Sequence, residues 1–163
     1  LTDNHPRVRT SGEQREFIVV SQPEIVITQQ DIREIQLAKA AIRTGIQVLL
    51  EANERTEEEI EQVVIAGAFG SYINVASAVT IGMLPPLPLD HFRQVGNAAG
   101  TGARLALISS SKRAKAQMMA SRVHYIELAS APYFAPIFVQ ASYLGLYKMR
   151  RGERRDIEQW KPE

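Results

Sequence analysis

The chain is 163 residues long, 45% hydrophobic, and carries 19 Lys and Arg against 18 Asp and Glu, a formal net charge of +1. That length suits one globular domain with a sizeable core, and the balanced charge gives no whole-chain case for a nucleic-acid partner or an anionic membrane surface. Cysteine is absent, which excludes disulfides, thiol nucleophiles, cysteine-ligated zinc and a ferredoxin-type iron–sulfur cluster within these residues. His5, His91 and His124 have no metal-ligand spacing, so no metal site is expected. No apolar run approaches the roughly 20 residues of a membrane span, and the polar N-terminal stretch does not read as a secretory signal. The expectation is a soluble, cytoplasmic protein.

In chain order, residues 1–15 are polar and read as a linker or the remnant of a preceding region. Glu16-Phe17-Ile18-Val19-Val20 and Glu24-Ile25-Val26-Ile27 are β-rich runs separated by Ser21-Gln22-Pro23, which predicts a hairpin or two neighbouring edge strands. Thr28, with Asp31 three residues on, predicts a capped helix running to about Ala52. Ile35, Ala38, Ile42, Ile46 and Leu49 recur at helical spacing and are its expected buried face. Thr56-Glu57-Glu58-Glu59 repeats the capping pattern ahead of a strand at 62–66.

A helix at 74–81 follows, capped by Asn74 and stopped by Gly82; Pro85-Pro86-Leu87-Pro88 then enforces an extended connection. Residues 92–95 read as a strand and 98–108 as an alanine-rich helix suited to packing on a sheet. Ser109-Ser110-Ser111 caps a basic helix to about Arg122, residues 124–128 read as a strand, and 132–144 as a last helix. A charged tail occupies 148–163. Strands alternating with helices predict an α/β domain over 16–147 with a mixed sheet packed by helices.

Six of the ten glycines lie between Gly67 and Gly102. All but Gly82 belong to two signatures, Val63-Val64-Ile65-Ala66-Gly67-Ala68-Phe69-Gly70-Ser71 and Val95-Gly96-Asn97-Ala98-Ala99-Gly100-Thr101-Gly102-Ala103. A strand that runs into a Gly/Ala turn and then a helix presents backbone N–H groups at a positive helix end, which suits a phosphate or a purine edge. Neither signature is a Walker A loop, because no Gly-Lys-Ser/Thr ending is present, and neither has the spacing of a dinucleotide fingerprint. The same glycines would equally permit tight helix–sheet packing, so both readings stand.

Between Gln62 and Arg122 the only carboxylate is Asp90, whereas Arg93, Arg104, Lys112, Arg113, Lys115 and Arg122 are basic. Such a region does little to repel a polyphosphate, although scarce acids also befit an alanine-rich core. It offers no general base and no carboxylate cluster for magnesium, both of which phosphoryl transfer normally uses. On the long helix, Gln36, Lys39 and Arg43 fall within roughly a 60° arc, where they would reach a ribose or purine lying across it or form a solvated face.

Residues 28–42, with Thr28, Asp31, Gln36 and Lys39, combine in order with Ile65-Ala66-Gly67-Ala68-Phe69-Gly70-Ser71-Tyr72-Ile73 and Val95-Gly96-Asn97-Ala98-Ala99-Gly100-Thr101-Gly102-Ala103. Together these resemble the C-terminal region of the ATP-dependent reductive activators of corrinoid proteins, and the likeness spans roughly 17–138. The resemblance implies the C-terminal subdomain of an ASKHA (ribonuclease H-like) ATPase, the superfamily of actin, sugar kinases and heat-shock ATPases. It further implies that ATP, with magnesium in the parent protein, lies in a cleft between two subdomains. Gly67, Ala68 and Gly70 would line purine and ribose, with Phe69 and Ser71 in the same turn and Gly96, Asn97 and Gly100 in the second.

By the same resemblance, Gln36, Lys39 and Arg43 match helix positions that contact adenine and ribose in the chaperone branch, where Arg43 departs from the usual small hydroxyl residue. In such proteins an iron–sulfur cluster delivers an electron to a corrinoid cobalt. That cluster must lie elsewhere in the parent chain, and this piece alone is expected to be catalytically incompetent. The implied partners are a nucleotide and a corrinoid protein. Two alternatives carry forward: a nucleotide-independent module for homodimerisation or corrinoid-protein docking, and a fragment of a sugar-kinase-type phosphotransferase. Residues 132–139 read as a docking face or a core helix. The cluster Lys148, Arg150, Arg151, Arg154 and Arg155 reads as a site for an acidic protein or a solvated tail.

Overall fold

The computed structural model of the chain describes residues 5–131 and 133–145. Its first unit is an antiparallel meander of β1 (Val8–Ser11), β2 (Gln14–Ser21) and β3 (Glu24–Thr28). The expected hairpin is present, with Phe17 opposite Ile27 and Ser21 opposite Glu24. Residues 8–11, read above as part of a linker, pair instead with β2, Val8 lying opposite Phe17. Arg9 explains why so polar a segment joins the sheet: its Nε reaches Glu16 at 2.6 Å and its terminal nitrogens hold Glu24 at 2.7 and 2.9 Å. One guanidinium thus spans all three strands. This raises the pKa of Arg9 and holds the Glu24 carboxyl below its ordinary value.

β3 runs directly into α1 (Gln29–Ala52). Thr28 caps it as its sequence predicts: the hydroxyl accepts from the Asp31 N–H at 3.1 Å while the Asp31 carboxylate accepts from the Thr28 N–H at 2.8 Å. The Thr28 N–H first, and then the Thr28 hydroxyl, which donates to the same carboxylate at 2.8 Å, lower the pKa of Asp31. A second capping box, from Thr56 and Glu59, starts the 3-10 turn Glu57–Glu59. The chain then enters β4 (Val63–Ala66), α2 (Gly67–Tyr72), α3 (Val75–Thr80) and β5 (Phe92–Gly96). Asn74 caps α3 by accepting from the Ser77 N–H at 2.8 Å.

β4 and β5 are parallel, and the helices between them supply the long crossover that such a pair needs. Ile65 faces Gln94 but Ala66 faces Gly96, so Val95 is an extra residue on β5. The mixed sheet expected from the sequence is therefore divided: the antiparallel and the parallel pairings form separate three-stranded and two-stranded sheets among the described residues. The domain is α/β, with helices packed on small sheets. Its apolar centre, Ala78, Met83 and Leu84, lies where α1, β4, α3 and β5 meet, and Ile46, Ile65, Ile73, Val79 and Phe92 close around it.

After β5 come α4 (Ala98–Ile108), α5 (Ser110–Ala120) and, beyond the 3-10 turn Leu128–Ser130, α6 (Phe134–Ala141). Three expectations need correction. The strand at 124–128 is absent: Val123, His124 and Tyr125 are exposed and irregular, and these residues have no strand partner among the described residues. α4 does not bury itself on a sheet. It packs chiefly on α5, and Leu107 and Ile108 remain exposed.

The third correction concerns α1, whose buried residues are Lys39, Ala40, Arg43, Thr44, Gln47 and Val48. The expected apolar face points away: Ile35 is 45% exposed, Ile42 37% and Leu49 51%, Ala38 is exposed too, and Ile46 is half-buried. The cause is α6, which packs on α1 and buries Ile137 and Ala141 completely. Each such aliphatic burial contributes about 1.5–3 kcal/mol for a residue the size of isoleucine. α6 also brings backbone carbonyls that can accept from long polar side chains. In the 132–139 stretch Ile137 is therefore core, while Val139 is 54% exposed. Pro132 and the tail cluster 148–155 lie outside the described residues. Among the described residues no helix is long and apolar enough to cross a membrane.

Candidate functional site

The parallel register sets the carboxyl ends of β4 and β5 side by side, and each end carries one glycine signature. In open α/β sheets that edge is where ligands bind. Gly67 opens α2 with φ +86°, a conformation costly to a residue with a side chain, and its missing Cβ faces open space. Ala68, Phe69 and Ser71 are exposed along α2. Gly70 is buried for a steric reason: a Cβ there would sit 2.8 Å from the Ile65 side chain and 2.9 Å from its carbonyl oxygen. Its bareness lets α2 fold back over β4.

On the second strand, Gly96 has φ +58°, and its Cβ position lies 3.7 Å from Ser71 Oγ, so the second turn lies beside the end of α2. Asn97 caps α4, accepting from the Gly100 N–H at 2.8 Å. Gly100 stays bare because a Cβ would crowd the Asn97 side chain at 2.6 Å. Asn97 and Gly100 thus build the helix start. α2 begins without any side-chain cap, since Ala66 stands in that position. Gln94, which the sequence reading passed over, ties the turns together: its Nε2 donates to the Gly70 carbonyl and, at 3.0 Å, to the Ile73 carbonyl. An amide in mid-strand gives no periodic signal by which to single it out.

The three helix residues form a separate group. Gln36 Nε2 donates to the Ser142 carbonyl at 3.1 Å, Lys39 Nζ to the Tyr143 carbonyl, and Arg43 pairs with Glu57. Lys39 and Arg43 are fully buried. Burial first, and the like charge of Arg43 second, hold the Lys39 ammonium below the usual lysine pKa. The two groups are linked by α3. It follows α2 and ends near Gly82, whose Cβ position is 3.3 Å from Lys39 Nζ. The acid-poor character of the region persists on the surface, where Arg104, Lys112, Lys115 and Arg122 are all exposed.

Comparison with known proteins agrees with this architecture. The family model described as the C-terminal domain of RACo, the ASKHA domain, matches residues 1–154. A corrinoid activation enzyme, RamQ of Eubacterium limosum, is 39% identical over 153 residues, covering 88% of this chain and 26% of that protein. The solved structure of a reductive activator for a corrinoid, iron–sulfur protein superposes with a TM-score of 0.74 at 37% identity, covering 85% of this chain and 23% of that one. The chain spans about a quarter of the length of these relatives. With a family model covering nearly all of it and the strand–glycine-turn–helix pairs in place, the chain belongs to the family of RACo C-terminal ASKHA domains.

Proposed function

We propose that this chain is the nucleotide-binding C-terminal subdomain of a reductive activator of corrinoid proteins. ATP, as its magnesium complex, seats against the paired glycine turns. Its preferential binding to a closed form couples nucleotide to electron delivery from an iron–sulfur cluster elsewhere in the parent chain. The observation that carries this reading is the placing of the two glycine signatures side by side at the carboxyl edge of two parallel strands. The open space at Gly67 lets a ligand approach the backbone, and the scarcity of carboxylates from 62 to 122 leaves a polyphosphate unopposed. Gly67, Ala68, Phe69 and Ser71 form the near wall, Gly70 and Gln94 hold it, and Gly96, Asn97 and Gly100 shape the far one. Gln36, Lys39 and Arg43 are the residues for adenine and ribose once their present partners yield.

Isothermal titration of ATP, ADP and a non-hydrolysable ATP analogue into the full-length protein and its Gly67→Val variant tests this. The native protein binds and the folded variant does not; equal affinity in both sinks the assignment. One observation favours a second reading, a docking or dimerisation module without nucleotide: the exposed stripe Ile35, Ile42 and Leu49 on α1. Self-association measured by light scattering that is indifferent to ATP, together with no heat of binding, would select it.

A further inference from the structure

The three helix residues of the nucleotide reading are not facing solvent; a short piece of chain lies over two of them. After α6, residues 142–145 cross α1, where Ser142 accepts from Gln36 and Tyr143 from Lys39. The far end is pinned by the Gly145 N–H, which donates to the Ile81 carbonyl at 3.2 Å. Gly82 is the seat for this crossing. It is buried, has φ +76°, and a Cβ on it would overlap the Gly145 carbonyl oxygen. The absence of a side chain at Gly82 keeps a place for the crossing segment.

The crossing is held by backbone bonds more than by burial. Tyr143 is 71% exposed and Leu144 49%, so neither of its larger side chains is buried. Short segments with few buried apolar contacts open locally at a small fraction of the global unfolding free energy. What they cover is unusual for a core: a fully buried ammonium that meets a neutral carbonyl and lies near the Arg43 guanidinium. Buried cations are ordinarily matched by a carboxylate, and perturbed ones gather at functional sites. A carbonyl oxygen presents the same lone pairs to Lys39 and Gln36 that ribose hydroxyls or purine nitrogens would.

We propose that residues 142–145 are a removable strap over the Gln36 and Lys39 face of α1, and that strap and nucleotide are alternative occupants of that face. The second half rests on the nucleotide reading above; the first does not. With the strap closed, affinity is reduced by the fraction of molecules in which it is open. Releasing it tightens binding without adding a contact.

The test uses the full-length protein, with lysine acylation read by mass spectrometry and hydrogen exchange read at the Gly145 amide. Without nucleotide, Lys39 is acylated more slowly than exposed Lys112 and Lys115, yet at least about tenfold faster than the protein unfolds globally, as local opening requires. ATP then separates the two signals: Gly145 exchange quickens because the strap is displaced, while Lys39 acylation slows because the ligand covers it. Gly82→Ala, which unseats the strap, raises Lys39 acylation and tightens ATP binding, each about tenfold for a strap open in a tenth of molecules. Should that variant fail to fold, the native protein still decides. Lys39 and Gly145 reacting only at the global unfolding rate overturns the strap. ATP that binds without quickening Gly145 exchange overturns the competition. A strap that opens in a protein with no affinity for ATP sinks the nucleotide reading, and the competition with it, while the opening itself stands.

Discussion

The glycine-turn edge and the inner face of α1 treat their polar groups in opposite ways. At the edge, backbone lies bare: Gly67 faces open space, and Phe69 is 59% exposed. On α1, side chains with full charges are taken out of water and given protein partners, Glu57 for Arg43 and a carbonyl for Lys39. Backbone at the edge is open as it stands, whereas the helix face is covered by its present contacts. On the nucleotide reading proposed above, the two halves of one site need not be ready together.

Breaking the helix half has the largest effect. Glu57→Ala removes the carboxylate that the buried Arg43 faces, and disrupting a buried ion pair costs about 3–5 kcal/mol. The expected result is an unfolding free energy lowered by that amount in a denaturant titration, with the overall secondary structure retained by circular dichroism. In the edge half, Gly70→Val forces a side chain into the Ile65 backbone, and overpacking of this kind costs about 1–3 kcal/mol. Urea denaturation reads this loss. Gly67→Val, by contrast, meets no neighbouring atom, so its cost is confined to backbone strain of about 1–2 kcal/mol. A Gly70 variant no less stable than the Gly67 variant would mean that α2 does not rest on β4 as described.

Smaller still is the cap that aims α1. Thr28→Ala costs about 1 kcal/mol, typical of a lost N-cap. Because the folded pKa of Asp31 lies below its ordinary value, its contribution is complete above the ordinary carboxylate pKa and fades as pH falls through the lowered one. An acid titration of stability should therefore be shallower in Asp31→Ala. The last effect is a slope at the other end of the scale. Lys39 is depressed, so the folded state sheds its proton before the unfolded state does. Stability then climbs as pH rises from the lowered value towards that of an ordinary lysine, and Lys39→Met removes the climb.

Much of this was legible in local sequence. Thr28, Asn74, Asn97 and Ser109 each cap a helix through the side-chain oxygen that makes such residues start signals. The strand-to-glycine turns were legible as well, since lack of bulk after a β-rich run is written in four or five consecutive residues. The buried face of α1 was not. It is chosen by α6, about a hundred residues onward, whose end supplies carbonyls that accept from Gln36 and Lys39. Hydrophobic periodicity records which residues prefer to leave water; it has no knowledge of a distant backbone that offers long polar side chains a partner. The strand expected at 124–128 failed for the related reason that a β-rich run needs a neighbour to pair with, and none of the described strands adjoins it.

Val95 is the extra residue that separates the Ile65–Gln94 pairing from the Ala66–Gly96 pairing. It is taken up as a bulge in the longer of two strands of unequal count, so that Ala66 and Gly96 still leave the sheet at one level. Deleting this single valine would leave Ala66 opposite Gly96 in an uninterrupted ladder, but would remove the local bend and twist that an extra residue gives a strand. All the glycines would survive and the composition would hardly change, yet β5 would enter its turn at a different angle. In this domain the spacing between motifs is as much a heritable property as the motifs themselves.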